Sequence, residues 1–239
     1  MELEQERTNI NIDGSPMPVF ICRPRGDERL PAIVVIHEIL GLTPHHEDVA
    51  CRFAREGFVG AAPHLFFDIP IPDFTDRQSF MRFRQSIDDS KMVDRIRTLV
   101  KHLLDRPDVE SESIGIVGYC FGGYTALLAT SQIPEIKALA DYYGGGNPET
   151  VHEAARKVRV PVLGMFGQED QGIPVEVVHE TERILKEAGV PTEFHIYPGA
   201  GHAFFNDTSP ERHHPGAAAD AWPKTVDFFK RNLRVTSPV

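Results

Sequence analysis

Residues Gly118-Tyr119-Cys120-Phe121-Gly122-Gly123 set a cysteine among small residues, between the apolar run 114–117 and the small-residue stretch 121–131. This is the pattern G-x-S-x-G with cysteine in the place of serine, and it predicts a strand, a tight turn and a helix. A nucleophile on such a turn stands clear of the backbone, and the flanking glycines let the chain bend that sharply. The helix start beneath it offers free N–H groups and a positive dipole end to a developing negative charge. A dinucleotide fingerprint does not account for the segment, because its glycine spacing differs from G-x-G-x-x-G.

Two further residue types complete a nucleophilic set. Asp170 follows the apolar run 160–166 within Gly167-Gln168-Glu169-Asp170, and His202 follows residues 192–197 within Pro198-Gly199-Ala200-Gly201-His202. The order nucleophile, acid, histidine is the one this turn type uses, and each residue falls just beyond a predicted strand. His202 would take the thiol proton and return it to a leaving group, with Asp170 fixing the tautomer of the ring. Glu169 is the rival for the acid. His37-Glu38-Ile39-Leu40-Gly41 opens like a zinc motif but carries Gly41 where the second histidine ligand belongs, so no metal is expected there. Its place after a strand instead predicts an oxyanion site made of the Ile39 and Phe121 backbone N–H groups. Glu38, a carboxylate beside that site, is either a solvated rim charge or has a specific task.

The elements needed to hold these residues alternate along the chain. Residues 8–12 and 17–23 predict two strands joined through Asp13-Gly14-Ser15. Buried strands are predicted at 31–36, 58–62, 114–117, 136–143, 160–166 and 192–197. Helical spacing covers 44–56, 74–104, 121–131, 149–157, 174–188 and 216–233. Strands alternating with helices imply a mostly parallel sheet covered on both faces. Without repeats or linkers, residues 1–239 are read as a single domain.

With 239 residues, 41% of them hydrophobic and 25% charged, the chain can bury an ordinary core. A net charge of −10 argues against nucleic acid and anionic membranes as partners. No apolar run approaches the roughly 18 residues of a membrane span. The polar, acidic start is unlike a signal peptide. Three cysteines cannot all pair, so Cys22 and Cys51 are expected as unpaired core residues in a reducing, cytoplasmic setting. Adjacent pairs His45-His46 and His213-His214 point different ways from a helix and make poor metal sites.

Taken together, the block from Val35 to Gly41, the Cys120 turn, the Asp170 loop and the block from Gly199 to Phe204 resemble the dienelactone hydrolase family. The resemblance implies an α/β-hydrolase fold with no metal or organic cofactor, acting on a small-molecule ester or lactone. It implies a triad of Cys120, Asp170 and His202, with Ile39 and Phe121 at the oxyanion. It also gives Glu38 the task of accepting the thiol proton in the resting protein, shielding the sulfur from oxidation. Family members that hold a substrate carboxylate use two arginines; here Asn206 stands in one place, and Arg77 corresponds to the other only in a variable stretch. Tyr143 and Phe204 are expected near the substrate, with Tyr143 equally readable as a packing residue. Besides hydrolysis of esters or lactones, the same residues allow a thioesterase or acyl transferase, or a thiol-based redox or binding module without turnover.

Overall fold

Uninterrupted apolar runs bounded by turn residues form the inner strands. The computed structural model describes residues 1–74 and 76–233. The elements are β1 (Leu3–Ile12), β2 (Ser15–Pro24), β3 (Leu30–Ile36), α1 (Pro44–Arg55), β4 (Val59–Pro63), α2 (Arg77–Ser86), α3 (Asp89–Leu104), β5 (Val109–Tyr119), α4 (Phe121–Thr130), β6 (Ile136–Tyr142), α5 (Pro148–Lys157), β7 (Val162–Gly167), α6 (Val175–Glu187), β8 (Thr192–Tyr197) and α7 (Pro215–Asn232). One eight-stranded sheet runs in the order β1-β2-β4-β3-β5-β6-β7-β8. From β4 to β8 every neighbouring pair is parallel, whereas β2 meets β1 and β4 antiparallel.

The N-terminal hairpin turns at Asp13 and Gly14, whose φ values of 49° and 90° lie in the left-handed region that a two-residue hairpin turn requires. Both strands extend beyond the predicted runs, because ladder pairing carries on from Leu3 opposite Pro24 to Ile12 opposite Ser15 whatever the polarity of the outward side chains. The helical region 74–104 is two helices. Asp88 ends the continuity: its carboxylate accepts from the Ser90 and Lys91 N–H groups and caps α3.

Alternation along the central strands feeds two apolar cores. Ala32, Val34 and Ile36 of β3 join Ile96 and Leu99 of α3 and Leu127 of α4 on one face. Ile33 and Val35 join Phe53 of α1 and Phe228 and Phe229 of α7 on the other. Period-two side-chain direction therefore explains why these strands are apolar throughout. Because the strands are parallel, the residues just beyond β3, β5, β7 and β8 gather along a single edge of the sheet.

Two cysteines depart from expectation. Cys22 on β2 and Cys51 on α1 form a disulfide, with their Cα atoms 5.2 Å apart, leaving Cys120 as the free cysteine. Both are core residues as expected, but α1 packs across β2 and brings them together from 29 positions apart. With that pair joined, cysteine usage no longer argues for a reducing compartment. No helix among the described residues is long and apolar enough to cross a membrane.

Candidate active site

The turn at Cys120 is strained. Its φ of 55° and ψ of −117° lie where non-glycine residues cost on the order of 1–3 kcal/mol. Bonds on either side hold it there: its N–H donates to Tyr142 O at 3.0 Å, and its carbonyl accepts from Gly123 and Tyr124 as α4 begins. Glycine is required at two flanking positions. A Cβ on Gly118 would stand 2.0 Å from Gly122 O, and one on Gly122 would stand 2.3 Å from Ile36 O. The second contact presses the start of α4 against the end of β3, so the segments carrying Phe121 and Ile39 lie against each other.

Cys120, His202 and Asp170 form a continuous chain. His202 Nε2 lies 2.9 Å from Cys120 Sγ, and His202 Nδ1 lies 2.6 Å from Asp170 Oδ2. Asp170 Oδ1 accepts from Gly172 N–H at 2.8 Å, which fixes the carboxylate. Burial pulls the His202 imidazole down, but the bonds to Asp170 and Cys120 outweigh it and push it up to about 10. Glu169 is exposed, and it is Asp170 whose carboxylate meets the ring.

Glu38 is buried, and its surroundings differ from those expected. Its Oε2 accepts from Asn206 Nδ2 at 2.9 Å, and its Oε1 is a buried oxygen without a partner among the described residues. Burial raises the Glu38 pKa, and the Asn206 bond only partly opposes this. Asn206 is itself held by Thr208, whose N–H and hydroxyl both donate to its Oδ1. In this structure Cys120 Sγ meets His202 Nε2, and Asn206 bonds to the Glu38 carboxylate instead of facing an open pocket.

The backbone of Glu38 is also tied on both sides. Its N–H donates to His46 Nε2 at 3.2 Å. Its carbonyl accepts from Gly41 N–H at 3.1 Å and from His37 Nδ1 at 2.7 Å. His37 and His46, which sequence reasoning treated only as parts of a failed metal motif and a helix-end pair, are completely buried. The signal for His37 was a histidine just after an apolar strand, which by itself says nothing of its partner. No group of three or more metal-ligating side chains gathers among the described residues.

The remaining expected contacts are corrected. Tyr143 and Phe204 are fully buried, so neither forms an open wall. Tyr143 packs its ring 5.3 Å from that of His202, and Phe204 packs against Tyr142, Tyr143 and Tyr197. The aromatic run after His202 is buried because it is too apolar to stay at the surface. Arg77 is exposed at the start of α2, and no bond joins it to Cys120, His202 or Asp170.

The model of the dienelactone hydrolase family matches residues 17–233. This chain belongs to the dienelactone hydrolase family. Among its relatives, an Escherichia coli K12 protein named "Putative carboxymethylenebutenolidase" is 31% identical over 94% of this chain and 86% of its own length. The solved structure of a Klebsiella pneumoniae "Putative Dienelactone Hydrolase" is 28% identical, with a TM-score of 0.88 over 96% of this chain and 99% of that one. The dienelactone hydrolase of Anabaena variabilis, 20% identical with a TM-score of 0.71 over 98% and 100%, shares the fold. The eight-stranded sheet is thus an α/β-hydrolase sheet, and the chain is a hydrolase of this family.

Proposed function

We propose that this dienelactone hydrolase family member cleaves small esters or lactones with Cys120 as nucleophile, His202 as general base and acid, and Asp170 orienting His202. The observation that carries the reading is the unbroken contact from Cys120 Sγ through His202 to Asp170, on a strained turn above a helix start. His202 Nε2 takes the thiol proton as Cys120 Sγ attacks the acyl carbonyl carbon, forming the C–S bond and placing the carbonyl electron pair on oxygen. Phe121 N–H, at the first position of α4, has no carbonyl one turn back in the helix and is available to that oxygen. Ile39 N–H likewise has no acceptor among the described residues. Collapse of the intermediate expels the alkoxide, which takes the proton from His202 Nε2. Water then gives its proton to His202 and its oxygen to the acyl carbon, and the C–S bond breaks. Because a lactone keeps acyl and leaving oxygen in one molecule, a single ring-opened acid leaves at the end.

A p-nitrophenyl ester provides the test. Wild type should release nitrophenol in a burst of one equivalent and carry an acyl group on Cys120 by mass spectrometry. Cys120→Ala and His202→Ala should each lower turnover by several powers of ten while retaining a native circular dichroism spectrum. Undiminished turnover in folded Cys120→Ala would overturn the assignment.

A further inference from the structure

The peptide joining Glu38 to Ile39 has its carbonyl held by two donors, His37 Nδ1 and Gly41 N–H. No peptide in the described chain is cis, so the Ile39 N–H points opposite to that carbonyl. Rotating this one peptide plane would exchange the two groups, presenting a carbonyl oxygen where a donor is wanted. Two observations set which way His37 acts. Its Nε2 accepts from Leu65 N–H at 3.0 Å, so the ring proton sits on Nδ1, and Nδ1 can only donate to Glu38 O. Burial also lowers His37 to about 4, keeping this neutral tautomer across the working pH range. His46, neutral for the same reason, takes the preceding N–H of Glu38 with its Nε2 and leaves Thr43 Oγ1 at 2.9 Å from its Nδ1.

We infer that His37 is a positioning residue for acyl transfer: its Nδ1–H fixes the Glu38–Ile39 peptide so that Ile39 N–H faces the oxyanion. His46 anchors the peptide before it. The inference rests on the cysteine acyl-transfer reading above and adds to it the group that sets the orientation of the oxyanion site. His37 touches neither sulfur nor substrate, and its effect should appear only in reactions whose transition state carries charge on a carbonyl oxygen.

Two isosteric substitutions separate its two bonds. The amide of Gln reaches the place of Nε2 and can still meet Leu65 N–H, but supplies no donor at Nδ1. The amide of Asn reaches the place of Nδ1 and can still donate to Glu38 O. Each variant is compared with wild type in two reactions of the same sulfur: acylation by p-nitrophenyl acetate and alkylation by iodoacetamide. Alkylation displaces iodide from a methylene carbon and forms no oxyanion. In His37→Gln, acylation should fall by roughly ten- to hundredfold, below the cost of deleting an oxyanion donor outright, with alkylation held within about twofold. His37→Asn should recover most of the acylation rate. A parallel fall in both reactions, an unchanged acylation rate in His37→Gln, or a worse defect in His37→Asn than in His37→Gln would overturn the inference. Should His37→Gln not fold, the 15N-histidine spectrum of wild type decides: a neutral Nδ1–H tautomer supports the inference, and an Nε2–H or doubly protonated ring at pH 7 defeats it. Wild type that fails to acylate at Cys120 would instead count against the acyl-transfer reading itself.

Discussion

At the residue scale, the state of the sulfur is set by three groups in a row. Asp170 is almost wholly buried and bonds both to His202 and to the Gly172 N–H, so it can neither turn away nor leave the ring uncompensated. That contact raises His202 against the pull of burial, so the ring is a strong base for the thiol proton. Asp170→Asn should therefore lower kcat/KM for an ester by about 10⁴-fold, the size found for the same change in a serine triad. It should also slow iodoacetamide alkylation, because His202 is then a weaker base for the thiol proton. This second effect distinguishes Asp170 from His37, whose substitution should spare alkylation. An Asp170→Asn protein alkylated as fast as wild type would mean that the sulfur draws its reactivity from the helix start alone. Glu38 stands apart from this row, bonded to Asn206 and carrying one unpartnered oxygen in a buried position.

At the scale of elements, the site depends on how closely α4 approaches β3. A Cβ at position 122 would meet Ile36 O at 2.3 Å and His37 O at 2.7 Å, both backbone atoms at the end of a central strand. Gly122→Ala must move α4 away from β3 or bend the strand, and overpacking of this kind costs roughly 1–3 kcal/mol. The expected melting temperature falls by about 2–4 °C for each of those kcal/mol. Because the same shift separates Phe121 from Ile39, ester turnover should fall further than stability does; an unchanged kcat/KM in a destabilised Gly122→Ala would refute the dependence. Much of this level was legible in the sequence. The glycines around Cys120, the apolar runs of β3 and β7 and the loops beyond them are local patterns, and local patterns survive without a partner. The break between α2 and α3 was not legible, because Asp88 can sit as readily within a charged helix face as at its cap. Nor were the contacts of Asn206 with Glu38, 168 positions away, or of Cys22 with Cys51. Those depend on which elements lie side by side, and nothing near either residue encodes it. Phe204 was expected at the substrate and Tyr143 was left open for a related reason: an aromatic beside such a loop reads the same whether it lines the pocket or packs behind it.

At the scale of the whole molecule, two kinds of negative charge oppose the fold at high pH, and they can be separated. The net charge of −10 acts through mutual repulsion at the surface, which added salt screens. Asp141 acts from inside. It is the next-to-last residue of β6, in a slot lined by glycine, where a Cβ on Gly123 or Gly144 would come within 2.2 and 2.3 Å of its Oδ1. That oxygen accepts from Gly144 N–H at 2.9 Å, but burial prevails and pushes the carboxyl up to about 7. A folded pKa above the unfolded value of 3.8 means that the native state holds the proton more tightly. Stability from this group is then greatest below about pH 4, declines as pH rises towards 7, and stays low above it. Asp141→Asn keeps an acceptor for Gly144 and removes the ionisation. It should raise the melting temperature more at pH 8.5 than at pH 5, the gap widening by at least about 2–4 °C, corresponding to ~1 kcal/mol or more. Raising the salt concentration should stabilise both proteins at pH 8.5 without closing the gap between them, since a buried carboxylate is poorly screened. An equal difference between the two proteins at both pH values would show that Asp141 is already ionised in the native state at pH 5 and that burial does not raise it. A gap that salt abolishes would assign the effect to surface repulsion.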